Sequence, residues 1–287
     1  MSIQIITDSA SDLVDPGRED VTVIPMTIAF GEDQYDDGVD LTHERFFELL
    51  VECDHLPSTS QIPPIRFEEA FREQVEAGNS VVAVVMSGKL SGTWQSACMA
   101  ARKFPGKVYV VDSENASIGE RILVERAVQL KDQGMDAGQI AQCLEREKGD
   151  VCLVALLDTL EYLKRGGRIS KSVAAIGGIL SIKPVISLQK GEVCMLGKAR
   201  GSRNGSNLLV QEIEKTRGID FARPYLLGYS GFSDACLRKY VEDSRRLWEE
   251  HVEAGGLPVG TIGATIGTHI GPGAIGVAFF QKEEPTL

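Results

Sequence analysis

The chain has 287 residues, of which 43% are hydrophobic and 25% charged, an ordinary composition for a globular protein that is long enough for two domains. Its formal net charge is −11, from 30 basic and 41 acidic side chains, and no dense run of Lys or Arg occurs. This excludes the basic surface of a nucleic-acid-binding protein, and an anionic ligand must be held by local donors against the overall charge.

The first half of the chain alternates short apolar segments with segments whose apolar residues recur at helical spacing. Because such alternation is typical of parallel sheets with right-handed crossovers, we predict an α/β domain with a mostly parallel sheet. The predicted strands are 3–6, an extended segment at 21–30, 80–86 and 108–112. The predicted helices are 42–53 with Thr42 as its cap, 67–76, about 92–103, one from the cap Ser117 to near Gly134, and 137–147.

From residue 151 the pattern becomes irregular and predicts a mixed α+β domain. We therefore divide the chain into domains of residues 1–150 and 151–287. The predicted strands are 151–156, a hairpin of 184–188 and 193–196, 225–229, and two strands near 259–265 and 274–280. The predicted helices are 159–164, a small-residue helix at 170–180, 204–216 and 234–254.

Residues 254–280 contain no Asp, Glu, Lys or Arg and are long enough to span a bilayer. Their eight glycines and two prolines favour two short strands around a glycine-rich loop instead. The six cysteines form no C-x-x-C pair, which favours free thiols in a reducing compartment. Residues 1–13 contain no basic leader sequence. We therefore expect a soluble, cytoplasmic protein.

The segment 87–93 (SGKLSGT) lies between a predicted buried strand and its helix. Ligands of open α/β sheets collect at the carboxyl ends of strands, and a helix N-terminus there offers unpaired N–H groups to an anion. Ser91 and Thr93 add hydroxyl donors, although Ser91 in isolation is equally typical of a helix cap. The segment lacks the spacing of a Walker loop, so nucleotide binding gains little support.

Two further polar clusters read more simply as turns. Residues 58–61 (STSQ) precede a predicted helix and are typical of a turn. Residues 8–13 (DSASDL) follow the first strand, and their spacing favours an Asx-turn that caps a short helix over a metal site. Asp112, after another strand, has the position of a carboxylate that accepts backbone N–H bonds.

His269 and Arg168 are the two remaining candidates. His269 lies beside Gly271-Pro272-Gly273, at a predicted strand end where backbone can approach a ligand closely, although a lone histidine is more often structural. Four histidines in the chain supply no recognisable zinc-ligand cluster. Arg168 precedes an apolar helix and could pair with a carboxylate or phosphate, or tie together loop carbonyls.

Taken together, these segments resemble the DegV family through essentially the whole chain. The family's motifs occur here in its order: Asp8-Ser9 with Asp12-Leu13, Thr59-Ser60-Gln61, Leu90-Ser91-Gly92-Thr93, Asp112-Ser113, the run 160–168 (LEYLKRGGR), Ile182-Lys183-Pro184, and the run 269–273 (HIGPG). The chain departs from the family's pattern at Ser181, where Asn is frequent, and at Glu120, where Gly is frequent.

The resemblance implies an N-terminal α/β domain and a C-terminal mixed domain with one long-chain fatty acid between them. It implies a lipid-binding subunit of a bacterial fatty acid kinase, without catalysis of its own, metal or cofactor. The protein would present the carboxylate to a separate ATP-binding subunit that makes the acyl phosphate, and transient membrane contact is compatible with this role.

The same resemblance assigns the carboxylate site. Thr59 and Ser91 correspond to the hydroxyls that hydrogen-bond the carboxylate, and His269 and Arg168 to their polar or cationic partners. Residues adjacent to these in the motifs are expected to support the site, namely Ser60, Gly92 and Thr93.

Two other functions fit some of the same residues. Ser91 as nucleophile and His269 as base would make an acyl-ester hydrolase, although the G-x-S-x-G turn and a third catalytic residue are not evident. A small-ligand-binding subunit resembling the dihydroxyacetone kinases would use a histidine on its substrate, and it predicts a wet, polar pocket.

Overall fold

The computed structural model describes residues 2–53, 55–169, 182–249 and 256–283. The first half of the chain forms a four-stranded sheet in which every strand pair is parallel. In spatial order its strands are β2 (Val21–Ile24), β1 (Ile3–Asp8), β6 (Ser80–Val85) and β7 (Val108–Asp112).

Helices cover both faces of this sheet, which explains why β6 reads as a continuous apolar run. Alternate residues of β6 face opposite cores: Val81, Ala83 and Val85 pack in one, Val82 and Val84 in the other. The first core takes side chains from α2 (Pro64–Glu76) and α3 (Thr93–Ala101), and the second from α4 (Ile118–Asp132) and α5 (Ala137–Glu147).

The second half forms a six-stranded mixed sheet that is antiparallel except for its last pair. Its spatial order is β10 (Glu192–Arg200), β9 (Ile182–Gln189), β8 (Val151–Leu156), β13 (Ile275–Phe280), β11 (Tyr225–Tyr229) and β12 (Val259–Thr261). On one face lie α7 (Gly201–Glu214) and α8 (Ala235–Asp243), and on the other lies α4. One helix, α4, therefore packs between the two large sheets.

A small antiparallel sheet completes the fold, with the order β4 (Asp33–Asp36), β3 (Thr27–Phe30) and β5 (Ser58–Ser60). Its core is shared with α1 (His43–Glu52) and with the start of α9 (Ala264–Ile270). The short helix α6 (Glu161–Arg165) lies next to α9.

The predicted fold class is confirmed, and most predicted elements occur close to their expected bounds. Thr42 caps α1 as predicted, since its side chain accepts a hydrogen bond from Arg45 N. Asp8 caps the 3-10 turn Ser9–Ser11 through Ala10 N, and Asp112 accepts from Gly88 N and Glu114 N, also as predicted.

Four predictions of local structure are wrong. Residues 58–60 form a strand rather than a turn, because they pair with β3. Residues 264–270 form α9 rather than strand and loop, and the strand before it ends at Thr261. Ser117 stands at the start of α4 but makes no capping bond, since its hydroxyl donates to Asp12. The helix predicted at 234–254 ends at Asp243 and is followed by the 3-10 turn Arg245–Leu247.

The small-residue helix predicted at 170–180, and Ser181, lie outside the described residues. The boundary near residue 150 remains a prediction. No helix in the described ranges combines the length and apolarity that a bilayer crossing requires.

Candidate functional site

A cavity of about 290 Å³ is enclosed by residues from both halves of the chain. It lies beyond the carboxyl end of β6, which is where open α/β sheets place their ligands. Most of its wall is apolar and includes Met86, Leu153, Leu157, Ile186, Leu188 and Ile266. Among the described residues, its polar lining consists of Thr59, Gln61, Ser91, Ser117, Arg168, Thr265 and His269.

Thr59 and His269 meet at this cavity although 210 positions separate them in the chain. Thr59 lies on β5 opposite Ile28, and its Oγ1 is 2.9 Å from Nε2 of His269. His269 lies in the last turn of α9, not at a strand end as the sequence suggested. A Cβ at Gly166 would collide with the His269 ring, so the glycine provides the space that the imidazole occupies.

Burial, and secondarily the nearby charge of Arg168, lowers the pKa of His269 to about 4. The ring is therefore neutral at pH 7, with one nitrogen that donates and one that accepts. Nδ1 is buried and has no hydrogen-bond partner among the described residues. If Nε2 carries the proton and donates to Thr59 Oγ1, the Thr59 hydroxyl proton is free for an anionic acceptor in the cavity.

Ser91 lies in the loop that leads into α3. Its Oγ accepts a hydrogen bond from Thr93 N at 3.2 Å and lies 2.9 Å from Thr93 Oγ1. Thr93 is fully buried and its Oγ1 accepts from Ile62 N at 3.3 Å. Ser91 therefore braces the start of α3 and also borders the cavity, so the capping role and the ligand role are compatible in one side chain.

Arg168 also has two roles in the structure. Its Nε donates to the carbonyl of Leu90 at 3.2 Å and its Nη1 to the carbonyl of Gly166 at 2.6 Å. It thereby ties the Ser91 loop to the segment after α6, as one of the two sequence interpretations proposed. Among the described residues no salt bridge joins Arg168 to a carboxylate, and Arg168 lines the cavity.

Of the seven residues that the sequence suggested, Thr59, Ser91, Gly92, Arg168 and His269 line the same cavity. Ser60 is exposed and Thr93 is buried behind Ser91, and neither lines it. The roles assigned to these residues remain predictions.

Gln61 also lines the cavity, although no sequence pattern pointed to it as a site residue. Its side-chain oxygen lies where a Cβ on Gly92 would stand. The only signal for Gln61 was its place beside Thr59 in the same motif. Glu120, a departure from the family pattern, is fully buried, accepts from Thr7 Oγ1 at 3.1 Å, and does not line the cavity.

Comparison with known proteins identifies the family of the chain. The family model described as "Uncharacterised protein, DegV family" matches residues 2–282. A DegV family protein from Thermus thermophilus, described for its fatty acid binding, is 34% identical, with a TM-score of 0.84 over 98% of this chain and 100% of that one. A stearic acid-binding protein from Eubacterium ventriosum is 26% identical, with a TM-score of 0.84 over 98% of this chain and 99% of that one.

A third solved structure is the fatty acid kinase B3 protein of Streptococcus pneumoniae, loaded with linoleic acid. It is 21% identical, with a TM-score of 0.85 over 98% of this chain and 100% of that one, and at this identity it shows the fold alone. The family match covers nearly every residue, and the folds agree over nearly the full length of both chains. This chain therefore belongs to the DegV family.

Proposed function

We propose that the chain binds one long-chain fatty acid, with the alkyl tail in the apolar part of the cavity and the carboxylate at its polar residues. The observation that carries this proposal is the composition of the cavity wall. Apolar side chains from both halves of the chain surround most of the space, while hydroxyl, imidazole and guanidinium groups border it at Thr59, Ser91, His269 and Arg168. A ligand that matches both parts is an amphipathic anion.

Energetics assign different tasks to the two parts of the site. Burial of one methylene contributes about 0.8 kcal/mol, so a tail of roughly fifteen contributes on the order of 12 kcal/mol before the costs of association. One neutral hydrogen bond contributes only about 1 kcal/mol net. The tail therefore supplies most of the affinity, and the hydroxyls of Thr59 and Ser91 fix the position of the carboxylate.

The Thermus and Eubacterium relatives support the ligand class, since they are described as fatty-acid-binding and stearic acid-binding. The proposal extends to a partner: a separate ATP-binding kinase subunit that phosphorylates the bound carboxylate. The motif order from Asp8 to Gly273 supports this extension.

The two competing functions have less support. In the described residues His269 Nε2 bonds to Thr59 and Ser91 Oγ bonds to Thr93, so no Ser91–His269 pair forms. A small polar ligand would leave the apolar side chains of the wall, Leu153 and Ile186 among them, without a partner.

Mass spectrometry of an organic extract of the purified protein tests the ligand class directly. We expect a long-chain fatty acid in an amount close to that of the protein. A protein that yields no lipid, and that does not take up added oleate, would contradict the proposal. Hydrolysis of acyl esters that is lost in Ser91→Ala would favour the hydrolase instead.

A further inference from the structure

The turn that follows β1 contacts one of the two elements that border the carboxylate site. Asp8 is fully buried, and its Oδ2 accepts a hydrogen bond from Met86 N at 2.9 Å while Oδ1 accepts from Ala10 N at 2.9 Å. Met86 starts the loop that carries Ser91, and it lines the cavity itself. Asp8 therefore fixes the start of the Ser91 loop.

The same turn also holds the second element, α9. Asp12 Oδ1 accepts a hydrogen bond from Gly263 N at 2.8 Å. Asp37, from the segment after β4, accepts from Ala264 N at 3.3 Å and from Thr265 N at 3.1 Å. The residue at the N-cap of α9 is a glycine and contributes no capping side chain. Two carboxyl groups from distant segments thus bind three consecutive N–H groups at the start of this helix.

Acidic side chains are an energetically unfavourable choice for this task. Asp12 is 3% exposed and Asp37 7% exposed, and removing a carboxylate from water costs several kcal/mol unless donors compensate. Each also raises the cost of ionising the other, because like charges repel. By contrast, α1 is capped by the hydroxyl of Thr42 alone.

The opposite end of α9 carries His269, whose ring meets Thr59 at the cavity. The helix has only seven residues, so a displacement of its first turn is transmitted to its last. Gly267 lies against Phe46, where a Cβ would approach a ring carbon to 2.6 Å, so α9 also packs closely on α1.

We propose that Asp12 and Asp37 are positioning residues of the carboxylate site, which hold α9 where His269 meets Thr59. Asp8, in the same turn as Asp12, connects this arrangement to the Ser91 loop. The consequence for ligand affinity rests on the proposed function, whereas the consequence for His269 does not.

The test compares Asp37→Asn and Asp37→Ala with a matched control, Asp136→Ala. Asp136 also caps a helix, since its Oδ1 accepts from Gln139 N at 2.9 Å, but it is exposed and does not line the cavity. NMR titration of the histidine rings, assigned with His269→Gln, gives the pKa of His269 in each folded variant. The Asn variant keeps the side-chain volume, so it is measured even where the Ala variant fails to fold.

We expect the pKa of His269 to stay at about 4 in the control, and to rise by about one pH unit or more in both Asp37 variants, because the ring loses its burial. An unchanged pKa in folded Asp37→Asn overturns the proposal, since loss of stability alone would not move it.

Oleate affinity provides a second readout. Asp37→Asn should weaken oleate binding about tenfold in the wild-type background and much less in a Thr59→Ala background, where the His269 contact is already lost. Equal weakening in both backgrounds would contradict action through His269. If the wild-type protein binds no oleate, the proposed function fails, and the His269 titration still decides whether Asp37 positions the ring.

Discussion

Each polar residue at the cavity is fixed by a contact of its own before any ligand is considered. Ser91 bonds to Thr93, Arg168 bonds to two carbonyls, and His269 bonds to Thr59. Such pre-organisation lowers the conformational entropy that ligand binding must remove. At the scale of single residues, it also means that loss of one hydroxyl changes the geometry of the bound carboxylate more than the affinity for the tail.

Ser91→Ala is therefore expected to retain fatty acid, with an affinity loss of about 1 kcal/mol, and to lose turnover when coupled to the kinase subunit. Isothermal titration with oleate and an acyl phosphate assay measure the two effects. Ser60→Ala removes an exposed hydroxyl from the same region that does not line the cavity, and should change neither. Complete loss of lipid from a folded Ser91→Ala protein would contradict the assignment.

His269 should make the protein sensitive to acid. Its pKa is about 4 in the folded chain and near 6.5 when unfolded, so its contribution to stability is present above about pH 6.5 and is lost as the pH falls through 4. We expect His269→Gln to remove up to about 3 kcal/mol of this pH dependence. Urea unfolding at pH 7 and pH 4.5 measures it, with the exposed His55→Gln as control. If both variants lost the same unfolding free energy between pH 7 and pH 4.5, this would argue against a buried neutral His269.

At the scale of elements, small residues allow the site to close. Gly166 has φ of −69°, a backbone conformation that any residue can adopt. Glycine is required there because the His269 ring occupies the space that a Cβ would take. Gly92 has the same relation to Gln61. Gly166 follows α6 and Gly92 precedes α3, and at each position the close approach of one side chain excludes a Cβ.

Gly166→Ala is expected to displace His269, break its hydrogen bond to Thr59 and destabilise the protein by about 1–3 kcal/mol. Gly149→Ala is the matched control, since a Cβ there meets nothing within 4 Å, and it should be close to neutral. Thermal unfolding and oleate affinity report the difference. Equal behaviour of the two variants would show that the ring has room to move.

The pattern of apolar residues predicted the parallel sheet because strands such as β6 alternate with amphipathic helices along the chain. It could not predict β5, whose three residues are a strand only because β3 lies beside them. It missed α9 for a related reason. The glycines and β-branched residues of 263–270 have low helix propensity, and packing against Phe46 and Phe47 overrides it. The local sequence of a segment cannot show which distant residues will pack against it.

The candidate site was predictable to a similar extent. Thr59, Ser91, Arg168 and His269 were identified by the order of motifs, not by any local feature that shows they converge. Gln61 and the apolar wall were not identified, because contact with a cavity depends on tertiary packing.

At the scale of the whole molecule, buried carboxyl groups should make stability fall as the pH rises. Burial raises the pKa of Asp12 to about 8 and that of Asp8 to about 6. Since both ionise near pH 4 when unfolded, their stabilising contribution is complete below about pH 4 and is lost as the pH rises through these folded values. The effect of Asp12 extends to the higher pH.

Asp12→Asn keeps an acceptor for Gly263 N and cannot ionise, so it should flatten the fall in unfolding free energy between pH 5 and 8 by roughly 3–5 kcal/mol. Urea unfolding across this range measures the slope. Asp136→Asn, at an exposed position, should leave the slope unchanged. A wild-type slope in Asp12→Asn would show that Asp12 ionises in the folded protein as readily as in water.

The position of α4 has a consequence for the chain as a unit. Ile122 and Leu123 share one core with Val82 of the parallel sheet and with Leu153 and Phe280 of the mixed sheet. A fragment cut at residue 150 would keep this helix but expose the side of it that the second sheet covers. Neither half then has a complete hydrophobic core. The intact chain should therefore unfold in one cooperative transition, although its two large sheets are formed by separate halves of the sequence.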